Sequence, residues 1–198
     1  MIDSSLSLIR HGQTDWNFAR RLQGRTDIPL NETGRRQARD VGRELAASGE
    51  HWDVLVSSPL SRARETAELM GAEVGLKLSR TYDDVIERSF GDIEGRDCSH
   101  MTEEDRHAFM EQHGEHTADL VARGVASLRQ IIADYPGQNV MIVSHGSFIR
   151  LTAGHILNRK LRSLENGEVV TVTAEQVRDA ASAPGGAAKE GWLFRDIG

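Results

Sequence analysis

The amino-acid sequence predicts an α/β fold, a three-layer α/β/α sandwich with a mainly parallel central sheet. Short apolar runs at residues 6–9, 53–57 and 140–144 have the length and composition of buried strands. A segment with helical periodicity follows each run, and strands that alternate with helices are typical of parallel sheets. A chain of 198 residues can bury one good core, so we expect a single domain spanning residues 1–198.

Local signals place the other elements in order along the chain. Asn31 is a favourable N-cap, and the apolar positions that follow it share one helical face, which predicts a helix to about Ala47. Thr102 and the acidic residues after it predict a helix start, and a second apolar face over 121–135 predicts a longer helix. The remaining predictions are a helix at 60–70, a short strand at 76–79, an irregular polar segment at 81–95, a helix at 147–157, strands at 169–173 and 192–194, and a surface loop at 180–189.

Composition narrows the classes of function. The net charge of -6 gives no reason to expect nucleic acid or an anionic membrane as a partner. Cys98 is the single cysteine, which excludes an internal disulfide and a cysteine metal cluster. The first residues lack the features of a signal peptide, and no apolar run reaches membrane-spanning length. We therefore expect a cytoplasmic protein that needs no metal and no other cofactor.

Basic residues follow each of the three predicted strands. The first strand ends in Arg10-His11-Gly12, the second is followed by Arg62, and the third ends in His145-Gly146. Right-handed crossovers bring the carboxyl ends of parallel strands to one edge of the sheet, where open α/β folds bind their ligands. Helix N-termini at the same edge also favour anions. The sequence therefore predicts an anion site made of two histidines and two arginines.

This set of residues suits a phosphoryl group. Arginine pairs with phosphate oxygens through two hydrogen bonds, and charge stabilisation is most of the catalytic task in phosphoryl transfer. A neutral imidazole can attack phosphorus and form a covalent phosphohistidine, and nearby arginines favour the neutral form by lowering the pKa of the histidine. Glu87, on the irregular segment, is a candidate general acid and base for the leaving oxygen.

The sequence resembles the histidine phosphatase superfamily, in the branch that contains cofactor-dependent phosphoglycerate mutases, fructose-2,6-bisphosphatases and broad-specificity phosphatases. The resemblance extends from about Leu6 to Leu157. It rests on four blocks in the same order, at residues 8–17, 57–67, 87–95 and 144–146. One Arg-His-Gly block would be a weak signal, whereas four ordered blocks are specific. The resemblance implies a phosphoglycerate mutase-like fold.

The resemblance also implies roles for individual residues. His11 would be the phosphorylated nucleophile and Glu87 the proton donor. Residues implied to hold the phosphoryl oxygens are Arg10, Arg62 and His145. Residues implied to contact substrate are Asn17, Gln23, Gly24 and Gly146. Many phosphatases of this branch carry a Gly-Gly-Glu-Ser-like turn where this chain has His113-Gly114-Glu115-His116, which implies an altered wall of the pocket.

Other charged residues have simpler interpretations. The histidines at 107, 113 and 116 lack acidic or cysteine partners at metal-ligand spacing, so no metal site is expected there. Glu94 is interpreted as structural. Arg20 and Arg21 are interpreted as part of a solvated face, although either could rim the pocket.

The leading hypothesis is a metal-independent phosphomonoesterase that acts on small phosphorylated metabolites through phosphohistidine. Two alternatives stay open: a phosphotransferase of the cofactor-dependent phosphoglycerate mutase type, and a non-catalytic phospho-ligand binder on the same scaffold. The absence of a Walker A loop and of a Gly-x-Ser-x-Gly elbow argues against an NTPase and a serine hydrolase. The natural substrate stays open, as does the oligomeric state, for which a homodimer is one option.

Overall fold

A computed structural model describes residues 4–182 of the chain. In this part, the strands are β1 (Ser5–Arg10), β2 (Val54–Ser57), β3 (Leu78–Thr81), β4 (Val140–Ser144) and β5 (Val169–Thr173). They form one sheet in the order β3-β2-β4-β1-β5. β1 to β4 are parallel, and β5 pairs antiparallel with β1 at the edge. The prediction of a mainly parallel sheet is confirmed.

The helices lie on both faces of this sheet. They are α1 (Asp15–Phe18), α2 (Glu32–Ala47), α3 (Ser61–Val74), α4 (Glu103–His113), α5 (Thr117–Asp134), α6 (Gly146–Ile156) and α7 (Ala174–Asp179). Asn31 caps α2, since its side chain accepts a hydrogen bond from the Gly34 amide at 2.9 Å. Thr102 caps α4 in the same way.

Alternating strand residues supply two separate cores. Leu8 and Ile142 face one side and belong to the apolar cluster that includes α5, α6 and α7. Ile9, which follows Leu8, and Met141, which precedes Ile142, face the other side and pack with α2 and α3. Because successive side chains of a strand point to opposite faces, both sides of the sheet are covered. The three-layer α/β/α arrangement is therefore confirmed.

Several boundaries differ from the predictions. The short strand lies at Leu78–Thr81, two residues later than predicted, and α6 begins at Gly146. The segment 81–95 is irregular as predicted, apart from two single turns of 3-10 helix at Asp83–Val85 and Gly91–Ile93. The predicted strand at 192–194 and most of the predicted loop at 180–189 lie outside the described residues.

A backbone contact between two glycines fixes the turn that follows β1. A Cβ atom on Gly12 would overlap the carbonyl oxygen of Gly34, and one on Gly34 would overlap the carbonyl oxygen of Gln13. The first turn of α2 therefore lies directly against the residues after β1. Only a residue without a side chain allows this approach at either position.

A third apolar cluster lies outside the sandwich and links the irregular segments. It consists of Leu22, Phe90, Ile93, Cys98 and Met110, all buried. This cluster joins the turn after α1 to the segment 90–98 and to α4. Across residues 4–182, every helix is too short or too polar to span a lipid bilayer.

Candidate active site

The predicted site residues meet at one edge of the sheet. β4 lies between β1 and β2, and their registers align Arg10 with Ser144 and Ser57 with Val143. The residues that follow these three strands therefore emerge side by side. The rings of His11 and His145 are 5.1 Å apart, centroid to centroid, in an edge-on arrangement. The expectation that three strand ends converge is confirmed.

His11 presents one ring nitrogen to the site in a defined chemical state. Its side chain is buried, and Nδ1 lies 2.7 Å from the carbonyl oxygen of Gly12. A carbonyl oxygen can only accept, so Nδ1 carries the proton. The other nitrogen, Nε2, accepts a hydrogen bond of 3.2 Å from Nε of Arg62. The lone pair available for attack on a ligand is therefore that of Nε2.

Arg62, at the start of α3, is fully buried beside this lone pair. Its terminal nitrogens donate to the carbonyl oxygens of Thr26 at 2.9 Å and Gly24 at 2.7 Å. With its amide oxygen facing Arg62, the Gln23 side chain accepts from Nε at 3.1 Å and from Nη1 at 3.0 Å. Burial lowers the pKa of Arg62 to about 10, which leaves the guanidinium charged at neutral pH.

Arg10 and His145 each carry a polar atom without a partner among the described residues. Arg10 donates through Nη1 to the carbonyl oxygen of Leu164, while its buried Nε is unpaired. His145 shares a hydrogen bond of 2.7 Å with the Ser58 hydroxyl through Nε2, while its buried Nδ1 is unpaired. Buried polar atoms are rarely left unpaired. Two of them close to His11 fit a site that completes its hydrogen bonds with a bound anion.

Glu87 is held on the N-terminus of α6. Its carboxylate accepts from the backbone amides of Arg88 at 2.8 Å, Phe148 at 3.0 Å and Ser147 at 3.2 Å. The Glu87 side chain is only 8% exposed, and it lines the same cavity as His11. A carboxyl group is therefore fixed next to the anion site, and within residues 4–182 no arginine or lysine forms an ion pair with it.

A cavity of about 1110 Å³ opens over these groups. Of the predicted site residues, those in its lining are Arg10, His11, Asn17, Gln23, Gly24, Arg62, Glu87 and Gly146. His145 is the exception, because it lies fully buried beneath the cavity and contacts the His11 ring. Gly146 leaves room for Arg10, since a Cβ there would lie 3.3 Å from the Arg10 Nε atom.

The loop that binds Arg62 depends on Gly24 and Glu94. Gly24 has a φ of +55°, and a Cβ at that position would overlap the Glu94 carboxylate. That carboxylate accepts from the amides of Arg25 at 2.9 Å and Thr26 at 2.8 Å. Glu94 therefore shapes the loop through hydrogen bonds to its backbone, in agreement with its structural interpretation.

The segment 113–116 does not form the altered pocket wall that the resemblance implied. None of its four residues is in the cavity lining. Glu115 instead accepts from Nε of Arg123 at 2.6 Å. Arg123 then donates to the carbonyl oxygens of Ile86 at 2.9 Å and Glu87 at 3.2 Å. This segment therefore supports the Glu87 loop from behind. Within residues 4–182, no group of three or more His, Cys, Asp or Glu side chains is arranged to hold a metal ion.

Sequence reasoning missed three residues that hold the two histidines and the adjacent backbone in place. Asn166 lines the cavity and donates to the backbone oxygen of His11 at 2.8 Å. Thr66 accepts from the Gly12 amide at 3.0 Å. Ser58 is the partner of His145. Ser58 and Thr66 belong to the block at 57–67, which could have indicated them. Asn166 lies in a turn that has no distinguishing pattern.

Both histidines of the site are held neutral. Burial lowers the pKa of His11 well below 6.5, and the charges of Arg62 and Arg10 lower it further. Burial likewise lowers the pKa of His145, followed by the charge of Arg62. A neutral imidazole, with Nε2 unprotonated, is the form of histidine that can act as a nucleophile.

Comparison with known proteins shows the family to which this fold and site belong. The family model of the histidine phosphatase superfamily (branch 1) matches residues 6–180, and the chain belongs to that superfamily. An uncharacterised phosphatase, PhoE, of Bacillus subtilis is 40% identical over 149 residues, which cover 74% of each chain. A 2,3-bisphosphoglycerate-dependent phosphoglycerate mutase of Azorhizobium caulinodans is 33% identical over 75% of this chain and 79% of its own length. The relatives thus include both phosphatases and mutases.

Solved structures share the fold. A mycobacterial glucosyl-3-phosphoglycerate phosphatase, solved with VO3, has a TM-score of 0.73 and 28% identity, over 85% of this chain and 90% of its own. A phosphoserine phosphatase of Entamoeba histolytica, solved with phosphoserine, has a TM-score of 0.73 and 24% identity, over 86% of this chain and 95% of its own. The phosphoglycerate mutase-like fold implied by the sequence is confirmed.

The lowered histidine pKa values predict that the free energy of unfolding decreases as the pH falls below about 6.5. In that range the unfolded chain binds protons on the two imidazoles, whereas the folded chain does not. His11→Gln removes one of these groups. Between pH 6.5 and 5, the free energy of unfolding should change less steeply with pH in this variant than in the wild type. The difference in slope should be up to about 1.4 kcal/mol per pH unit. Urea unfolding at several pH values measures both slopes, and identical slopes would contradict a neutral His11.

Proposed function

We propose that this protein is a metal-independent phosphomonoesterase that hydrolyses small phosphorylated metabolites through a phosphohistidine intermediate at His11. The observation that carries the proposal is the state of His11: a buried, neutral imidazole whose Nε2 lone pair faces Arg62 and whose Nδ1 proton is held by a carbonyl. A histidine that only bound phosphate would act better as a charged donor than as a neutral acceptor.

In the first step, Nε2 of His11 attacks phosphorus, so that a P–N bond forms while the bond to the ester oxygen breaks. The charge on the phosphoryl oxygens is stabilised by Arg10 and Arg62, with the unpaired nitrogen of His145 supplying a further hydrogen bond. Glu87 acts as the general acid and gives a proton to the leaving oxygen, and the alcohol departs.

In the second step, water attacks the phosphohistidine. Glu87, now ionised, accepts a proton from the water as the P–O bond forms and the P–N bond breaks. Inorganic phosphate leaves, and His11 returns to its neutral form. The hydrogen bond from Nδ1 to the Gly12 carbonyl keeps the same nitrogen available in every cycle.

The substrate-contacting roles rest on the cavity lining. Asn17 and Gln23 present side-chain amides next to Arg62, and Gly24 and Gly146 bring the backbone close to the bound group. Two fixed guanidinium groups provide the positive charge that many phosphatases obtain from metal ions. This supports a reaction without metal.

Hydrolysis is favoured over mutase activity by the segment between Glu87 and His145. The helices α4 and α5 occupy most of it. Of its arginines within 97–138, Arg123 donates to the carbonyls of the Glu87 loop, and Arg129 donates to carbonyls at the end of α7. Only Arg106 lines the cavity. A mutase must shield its phosphohistidine from water, and this segment provides little additional cover.

His11→Ala tests the nucleophile. We expect the variant to fold and to lose nearly all turnover, because His11 is the histidine whose Nε2 atom lies beside Arg62 in the cavity. During turnover, acid-labile and base-stable phosphate should appear on the wild type, also in the presence of EDTA, and be absent from the variant. His51→Ala, which removes an exposed histidine next to β2, is the matched control and should still be labelled. Labelling of folded His11→Ala protein would overturn the proposal.

Glu87→Gln tests the proton donor through the leaving group. Loss of general acid catalysis should slow alkyl phosphate hydrolysis by about 10²–10⁴-fold. Hydrolysis of p-nitrophenyl phosphate should fall much less, because nitrophenolate leaves without a proton. Glu94→Gln is the comparison variant, and it should affect both substrates alike because Glu94 shapes the loop around Arg62. Equal losses in Glu87→Gln would contradict a role in proton transfer.

The phosphatase and mutase alternatives differ in product. We expect phosphate release from monoesters, little interconversion of 3- and 2-phosphoglycerate, and no stimulation by 2,3-bisphosphoglycerate. Coupled assays of both reactions on one preparation give the ratio of the two rates. Mutase turnover well above hydrolysis, and dependent on the bisphosphate, would instead establish the mutase function.

A further inference from the structure

Arg123, on α5, holds the irregular segment that ends at Glu87. Its Nη1 atom donates to the carbonyl oxygens of Asp84 at 2.7 Å and Ile86 at 2.9 Å. Its Nη2 atom donates to the carbonyl oxygen of Glu87 at 3.2 Å. The segment lies outside the sheet, so side chains have to supply the hydrogen bonds that a neighbouring strand would otherwise give. One guanidinium group therefore fixes three carbonyl oxygens of the segment.

Arg123 also acts on the Glu87 carboxylate by a second route. Its guanidinium carbon lies over the ring of Phe148, 5.4 Å from the ring centroid. Phe148 is fully buried, and its backbone amide donates to the Glu87 carboxylate at 3.0 Å. The same guanidinium therefore contacts both the backbone of Glu87 and the residue that binds its side chain.

Glu115 fixes the orientation of the Arg123 guanidinium. Its carboxylate accepts from Nε at 2.6 Å and from Nη2 at 2.9 Å, and both side chains are largely buried. A two-point pair of this kind holds a guanidinium in one plane. Burial by itself raises the pKa of Glu115, but the hydrogen bond and the charge of Arg123 outweigh burial and lower it, so the carboxylate stays charged at neutral pH.

Arg25 joins the same carboxylate to the loop that binds Arg62. Its Nη2 atom lies 3.5 Å from the Glu115 carboxylate, and its Nε atom donates to the carbonyl oxygen of Glu87 at 3.2 Å. Its backbone belongs to the loop whose carbonyl oxygens accept from Arg62. The Glu87 carbonyl is thus held by two guanidinium groups, and Glu115 pairs with both of them.

We propose that Glu115 and Arg123 are positioning residues for proton transfer by Glu87. Their ion pair sets the backbone from which the Glu87 side chain extends, so that the acid lies within reach of the leaving oxygen. Neither residue lines the cavity, so both act through Glu87 and not on the substrate. This inference rests on the proposed phosphatase function and adds two residues to its proton-transfer step.

Glu115→Gln tests the pair through the leaving group. The variant keeps the size of the side chain and removes the charge that orients Arg123. We expect kcat/KM for an alkyl ester, glycerol 3-phosphate, to fall roughly tenfold, because the acid is misplaced but still present. The value for p-nitrophenyl phosphate should stay within about twofold of the wild type, because nitrophenolate leaves without a proton.

Arg123→Lys is the second variant. Lysine keeps the positive charge beside Glu115 but lacks the planar fork that reaches three carbonyl oxygens. We therefore expect the same selective loss on glycerol 3-phosphate as in Glu115→Gln. A role of Arg123 as a charge alone would instead be preserved by lysine.

A double-mutant cycle separates positioning from a general loosening of the fold. In protein that already carries Glu87→Gln, no acid is left to position. Adding Glu115→Gln should then leave kcat/KM for glycerol 3-phosphate within about twofold of the Glu87→Gln value. General loosening would slow both esters, and it would do so in both backgrounds.

Glu65→Gln is the matched control, because it breaks an arginine–glutamate pair of the same length, 2.6 Å, between Arg35 on α2 and Glu65 on α3. Neither side chain of that pair lines the cavity. Both esters should be hydrolysed as by the wild type. Thermal unfolding of every variant checks that the fold is kept.

The outcomes separate this inference from the proposed function. If the folded wild type hydrolyses neither ester, the phosphatase function fails and the inference fails with it. If the wild type hydrolyses both, and Glu115→Gln and Arg123→Lys change the two esters by the same factor, the function stands and the positioning role is overturned. A tenfold loss from Glu115→Gln that persists in the Glu87→Gln background would also overturn it, since Glu115 would then act on something other than the acid.

Discussion

The site depends on one interaction, the contact between the charged guanidinium of Arg62 and the neutral ring of His11. A buried arginine is tolerated only when its donors are satisfied. The carbonyl oxygens of Gly24 and Thr26 do this for Arg62, and the Glu94 carboxylate sets the conformation of that loop. Burial of His11, followed by the charge of this guanidinium, lowers the pKa of the imidazole and keeps it neutral. The neutral state of His11 thus depends in part on the loop that binds Arg62.

The parts of the site that could be predicted from sequence follow from strand periodicity and from one topological rule. Arg10, His11 and His145 directly follow apolar runs, and parallel strands bring their carboxyl ends together. Asn166 could not be predicted this way. It reaches His11 because β5 returns antiparallel to β1, which brings the Gly167 amide to the Arg10 carbonyl at 2.9 Å. A short strand pattern does not encode the direction in which the strand is paired.

Charged residues inside the helical segments were also beyond prediction from sequence. Arg123 lies on an amphipathic helix, where an arginine is usually solvated. In the fold it binds Glu115 and three carbonyl oxygens of the segment that ends at Glu87. Its role depends on how α5 packs against the irregular segment, and periodicity within α5 holds no information about that contact. The same limit applies to the segment 113–116, whose position behind the Glu87 loop comes from tertiary packing.

The contact between Gly12 and Gly34 has a consequence for how this chain tolerates sequence change. Gly34 lies in the first turn of α2, outside the cavity lining, and has no chemical role. Any side chain placed there would push on the backbone that follows His11. In a survey of substitutions scored by turnover, Gly34 would therefore resemble a catalytic position. Transfer of this site to another scaffold would have to include the first turn of α2 together with the end of β1.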